Sequence, residues 1–409
     1  MPGCRLHSKS EDTVATNLRL VKPGETKEPS DYEKKIVKHK MGNLFKFLVG
    51  ILIIAIAGVM ITTQTRNKVY TTYNRVSSET LKIASGVKTL PFSDRLLLYS
   101  NDGIKCTDSK GKDVWNQAYE MQNPLVRICD KIVAVGDYNG RKIYVMSTSG
   151  TLGEIDTNMP ITNFCVAGNG EVATILEESG ISWIYLYDSA GELLAKMKTT
   201  MKNSGYPVAI ILSPSGKLLQ VSYLYADSGK IKSSVAFYNF GEVGQDAIDN
   251  YVSGYDYADS IVPFVQFMSD SMAFAVADGR LMFYSGTQKP VSAAEVLFDK
   301  EVQAVYYNER YVALVYLNQS GETKYQMDVY NSDGNKKLTL AYDMDSQNIL
   351  LDKETIVLYG KDECQVYSMD GVQKFAGNYE KMINLIIPTS SSYKYTVVTQ
   401  DSIDVVQLK

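Results

Sequence analysis

Histidine is almost missing from this chain. Of 409 residues only His7 and His39 are histidines, and both precede the long apolar run at 44–63. Everything beyond that run lacks the base on which serine, cysteine and threonine triads depend, and lacks imidazole metal ligands. Cysteine is scarce too: Cys4, Cys106, Cys129, Cys165 and Cys364. The last four are spaced by 23, 36 and 199 residues, which matches no zinc motif. They read as small buried apolar residues in strands, with two disulfides as the alternative. A strong charge of either sign is also absent, since 42 Lys/Arg face 46 Asp/Glu.

The charge is unevenly divided. Residues 1–43 carry nine Lys/Arg and six Asp/Glu, and the remainder carries 33 and 40. A large net-acidic domain is a poor partner for nucleic acid, whose binding rests on neutralised phosphates. From Phe47 to Ile61 no side chain is polar, and Lys46 is the only charge in 44–63. With its flanks this run reaches the roughly 20 residues that cross a hydrocarbon core. Lys46 can carry its amine back to the headgroups. Lys34, Lys35, Lys38 and Lys40 crowd the N-terminal side, whereas Arg66 and Lys68 stand alone on the other. The positive-inside rule then predicts a single-pass cell-membrane protein. Residues 1–43 form a mostly disordered cytoplasmic tail, 44–63 a transmembrane helix in the lipid bilayer, 64–84 a stalk or linker, and 85–409 an extracytoplasmic domain. Ser30-Asp31-Tyr32-Glu33 has the form of a capping box, which would start a helix leading into the span.

Beyond residue 68 there is no convincing long amphipathic helix. Short runs of apolar, β-branched or tyrosine residues alternate with Gly/Asp/Asn/Ser turns, the pattern of strands. One unit recurs: a strand ending in an aromatic or aliphatic residue, then a small polar turn with glycine. It is Cys106-Thr107-Asp108-Ser109-Lys110-Gly111, then Leu186-Tyr187-Asp188-Ser189-Ala190-Gly191, then Val366-Tyr367-Ser368-Met369-Asp370-Gly371. Counterparts end at Gly150, Gly241, Gly286 and Gly334. The intervals are 39, 41, 50, 45, 48 and 37 residues. Their mean, about 43, is the period of a four-stranded propeller blade. After the seventh turn one hairpin remains, so the chain stops a strand short. A strand from about 69–86 would complete it and leave no open sheet edge. The expected fold is all-β: a β-propeller of four-stranded blades, eight in number with seven as the alternative, preceded by one transmembrane helix.

Asp108-Ser109-Lys110-Gly111-Lys112-Asp113-Val114-Trp115 resembles the repeat of quinoprotein-like propellers, in which a turn Asp and Gly precede a Trp that docks the blade. From about residue 44 onward the chain resembles an uncharacterised family of bacterial membrane-anchored propellers with PQQ-like or WD40-like repeats. That resemblance implies a fold and a location, and no activity.

Catalytic signals are few. A quinone-dependent dehydrogenase would show adjacent cysteines and cofactor-stacking tryptophans, but the only tryptophans are Trp115 and Trp183. The Asp boxes of sialidases need a spacing that Asp108, Gly111 and Trp115 miss. Asp343 with Asp345, and Asp256 with Asp259, are the nearest approach to a calcium cluster, yet the EF-hand order is absent. No catalytic, cofactor or metal residue is assigned. A non-enzymatic platform for protein–protein interaction at the cell envelope is the leading reading. The alternatives are a receptor for an envelope ligand such as a glycan, and an enzyme built on two carboxylates. The candidate contact surface is the pair of long connections 225–231 and 241–260, where the glycine interval stretches to 50 and 45. Tyr251, Tyr255 and Tyr257 lie there as candidate partner-binding residues, since exposed tyrosine offers contact area at small entropic cost.

Overall fold

The structure, a computed structural model, describes residues 31–66, 68–199, 205–227, 229–258, 260–318, 321–345, 348–391 and 393–409. The chain divides into two units at Lys68/Val69. The first contains helix α1 (Asp31–Arg66), 36 residues and so about 54 Å long. Its stretch Lys34–Gly58 is long and apolar enough to cross a membrane, a test that a signal sequence also passes. Phe45, Leu48, Leu52 and Ile54 are all exposed, so packing within a protein core does not account for the composition of this helix. Asp31 begins the helix; Ser30, the expected cap, lies outside the described residues.

The second unit is a closed ring of eight four-stranded antiparallel sheets. Blades 1 to 7 span 88–118, 124–156, 161–199, 206–258, 264–297, 302–342 and 348–378. Within each, the strands hydrogen-bond in chain order, and the first strands of several successive blades touch one another. The first strand is therefore innermost. Second strands such as Ile132–Asp137 and Thr355–Tyr359 are buried almost throughout, whereas fourth strands such as Asp113–Ala118 expose alternate residues. That alternation is the period of two that one solvated sheet face demands. The core lies between the blades. Ile175 and Ile184 of blade 3 pack with Ile210, Leu219 and Val221 of blade 4. Turns between strands 1 and 2, and between 3 and 4, share one face of the ring, here the lower. Turns between strands 2 and 3, and the links between blades, share the upper face.

Six of the seven glycines of the repeat fall between third and fourth strands, and Gly150 begins the fourth strand of blade 2. In blade 1, Asp108 Oδ1 accepts hydrogen bonds from the N–H of Lys110 and of Lys112, both at 2.9 Å. Asp188 does the same for Ala190 and Glu192 in blade 3. Gly191 has φ +93°, and a Cβ there would lie 2.6 Å from the Glu154 carbonyl oxygen on the outer strand of blade 2. Only glycine suits both the dihedral and the approach. The Trp115 indole donates to the Thr148 carbonyl at 3.3 Å, docking blade 1 on blade 2.

Blade 8 closes the ring. Its three inner strands come from 383–408, and its outer strand is Tyr73–Thr80, paired from Tyr73↔Leu408 to Thr80↔Ser402. The segment 64–84, expected as stalk or linker, is thus helix up to Arg66 and ring strand over 73–80. The seam is clasped by a buried carboxylate. Asp404 is 0% exposed, accepts hydrogen bonds from Ser78, Tyr379 and Ser402, and lies 3.6 Å from Arg75 Nε. Burial pulls its pKa upward, but these hydrogen bonds and the Arg75 charge outweigh it, and the net shift is downward.

Candidate interaction surface

Blade 4 departs most from the repeat. Its second and third strands, Leu218–Asp227 and Lys230–Asn239, are ten residues each. Its lower-face turn is also expanded, to 240–250, against 286–290 in blade 5 and 369–372 in blade 7. The insertion holds a single helical turn, α2 (Glu242–Gln245), and ends where Asp249 and Asn250 both adopt positive φ, +53° and +60°. Asn239 anchors it: its Oδ1 accepts from the Gly241 N–H at 2.7 Å, and its carbonyl from Asn250 Nδ2 at 3.1 Å. Ile248 is 87% exposed, with Val243 and Tyr251 also exposed nearby in sequence.

Residues 251–258, expected within a link, are instead the outer strand of blade 4 (Tyr251–Ala258). The three tyrosines share one parity, and the bulge where pairing jumps from Tyr238↔Tyr251 to Phe237↔Ser253 sets the exposed Tyr251 apart from the half-buried Tyr255 and Tyr257. Tyr255 packs on the Tyr284 ring of blade 5 at 5.2 Å, donates its hydroxyl to the Pro290 carbonyl at 3.0 Å and accepts from the Ser292 N–H at 3.0 Å. Tyr257 shares a 2.7 Å hydroxyl–hydroxyl bond with Tyr284 and lies under the Arg280 guanidinium. Burial raises the pKa of both phenols, so the pair keeps its protons at neutral pH. Tyr251, 49% exposed, lies edge-on to Tyr238 at 5.9 Å. The two expected connections do not come together. The insertion and Tyr251 lie on the lower face, whereas the 227–230 hairpin tip and Tyr257 lie at the upper end of the same blade.

On the upper face a groove of about 700 Å³ opens between blades 5 and 6. Phe264, Val276, Phe298, Val302 and Val305 give it apolar walls, and Asp278, Asp299 and Glu301 stand at its rim. Sequence reasoning missed it. Its only linear trace is the short link Phe298-Asp299-Lys300-Glu301, which puts an aromatic beside two acids.

Among the described residues there is no group of three or more metal-ligating side chains. Asp345 pairs instead with Lys324 and accepts from the Tyr325 hydroxyl, and Asp343 accepts from the Lys324 N–H. Asp259 lies outside the described residues. Cys106, Cys129, Cys165 and Cys364 are free thiols. Burial pushes Cys165 up to about 12 and Cys129 up to about 11, far from the thiolate form that reacts.

Residues 66–408 match the family of unknown function DUF5711. The chain belongs to that family. No curated protein matches the sequence. Among solved structures the chain is similar to Sqt1 from Chaetomium thermophilum, at 10% identity and a TM-score of 0.53, covering 83% of this chain and 100% of that one. It is also similar to BamB from Moraxella catarrhalis, at 13% identity and a TM-score of 0.48, covering 82% of this chain and 100% of that one. At such identities the likeness concerns the propeller fold alone.

Proposed function

We propose that this DUF5711 member is a non-enzymatic, membrane-anchored propeller that serves as a protein-interaction platform at the cell envelope. Residues 44–63 of α1 span the bilayer, with the tail cytoplasmic and the propeller outside. The lysine bias around the span supports that orientation. The observation that carries the binding role is the blade 4 insertion. A rigid ring with short turns presents Val243 and Ile248 on one expanded turn, and Tyr251 at the start of the strand that follows it, to solvent, although exposing them brings no stability to the fold. Long loops on a rigid scaffold are where recognition concentrates. Of the three candidate tyrosines, Tyr251 makes the contact, and Tyr255 and Tyr257 hold the strand that positions it. The partner is an envelope protein with an apolar patch.

The full chain in detergent, immobilised through its N-terminus, should retain a discrete protein from solubilised envelope. Ile248→Asp combined with Tyr251→Ala should weaken retention about tenfold, the effect of losing an interface anchor, with thermal stability unchanged. Equal retention by the variant would remove this turn from the interface.

A further inference from the structure

At two places the turn between strands 2 and 3 latches its blade to the next across the upper face. In blade 2 that turn, 138–141, reaches the first strand of blade 3: the Asn139 N–H donates to the Ile161 carbonyl at 2.8 Å, and the Ile161 N–H to the Gly140 carbonyl at 2.9 Å. In blade 7 the turn 360–362 accepts the N–H of Ile383 and of Tyr379. Blade 5 has only Asp278 and Gly279, with Gly279 at φ +77°. Its backbone bonds go to Ile261 and Phe298, on the links that flank its own blade. Among the described residues none reaches the first strand of blade 6 (Val302–Tyr307). The two-residue turns of blades 1 and 3 likewise make no such bond among the described residues, and beside blade 5 the unlatched seam carries the 700 Å³ groove.

We infer that this groove docks a short protein segment bearing a bulky apolar side chain beside a lysine or arginine. The inference rests on the platform reading and names the chemistry of one partner. The volume is that of a formed binding site rather than a packing defect. Its walls are fixed in place: Phe264 packs on Phe274 at 5.7 Å and Tyr307 at 6.2 Å, and Phe298 on Tyr316 at 5.8 Å. An apolar side chain entering it leaves water without rearranging the protein. Charge selects the neighbour of that side chain. Asp278, Asp299 and Glu301 are exposed, and among the described residues none of them forms a salt bridge. Lys300, the one cation in the lining, is engaged by blade 6: its Nζ donates to Gln326 Oε1 at 2.8 Å and lies over the Tyr316 ring at 5.7 Å. The rim therefore faces an arriving segment with three carboxylates and favours a cationic residue.

Random peptides displayed on phage, panned against the full chain in detergent micelles, test this. Enriched sequences should pair Lys or Arg with Leu, Ile, Phe or Trp. They should bind the Asp299→Lys, Glu301→Lys double variant about tenfold more weakly, and bind Ile248→Asp, on the opposite face, as well as the parent. Both variants change exposed side chains, and unchanged melting curves would confirm their folding. Selected peptides that bind the double variant undiminished would overturn the groove. If those peptides lose affinity for Ile248→Asp instead, the platform reading survives with a different site. No enrichment over empty micelles would count against the platform itself.

Discussion

At the residue scale, the three tyrosines on one strand show how position sets role. Tyr257 is packed among blade 4 and blade 5 side chains and hydrogen-bonded to Tyr284. Its replacement by alanine should cost about 3 kcal/mol in denaturant unfolding, the usual cost of emptying an aromatic site. Tyr251→Ala should cost under about 1 kcal/mol, as for other half-exposed side chains. Equal losses at the two positions would contradict the strand assignment. Gly191 offers a second test. Alanine there meets both a positive φ and the Glu154 carbonyl, so a loss of about 2 kcal/mol is expected. These distinctions were not legible beforehand. The sequence shows Tyr251, Tyr255 and Tyr257 in a Gly/Asp/Ser-rich stretch, and nothing local says that blade 5 covers two of them.

At the scale of elements, the repeated turn was legible because it is chemical. Asp or Asn caps the turn backbone and glycine supplies the dihedral, and both requirements leave marks at fixed offsets. The extra chain in blade 4 was legible as a stretched interval, but its shape was not: a lengthened hairpin on one face and an insertion on the other add the same number of residues to the count. The groove left still less trace, since the two-residue turn beside it is no shorter than those of blades 1 and 3 and carries no motif. Replacing 240–250 by a five-residue turn like that of blade 5 should leave the melting temperature within a few degrees, because loop length changes closure entropy only slowly. The same change should abolish partner retention. A collapse in stability would show that the insertion is part of the fold instead of a device mounted on it.

At the scale of the whole molecule, ring closure links the two ends of the propeller chain. It was foreseeable from counting alone: seven complete turns, one spare hairpin and a free segment after the helix. The clasp that secures it was not, because Arg75 and Ser78 come from one end of the propeller chain and Tyr379 and Asp404 from the other, and the two pairs meet only when the ring is shut. Asp404→Asn should destabilise the propeller by about 2 kcal/mol, since an amide NH2 replaces one of the two buried oxygens that accept from Ser78, Tyr379 and Ser402. The pH dependence has a definite sign. The folded-state pKa of Asp404 is depressed, so its contribution is complete above the ordinary aspartate value near 3.8 and is lost as pH falls through the lower folded value. Asp328, held by Lys336, Thr339 and Gln326, shifts the same way. Acid unfolding should therefore begin below about pH 4, and Asp404→Asn should flatten its onset. Removing 73–80 should unfold the ring as one cooperative unit, not loosen one blade.

The reading of the propeller as a binding platform is tested most directly in intact cells. A photo-crosslinking amino acid placed singly at Tyr251, at Ile248, at Glu301, or at Leu152, an exposed outer-strand position of blade 2, would map contacts on the assembled envelope. The account predicts discrete protein adducts from the blade 4 insertion and from the groove rim, with none from position 152. Only diffuse background at all four positions would contradict it.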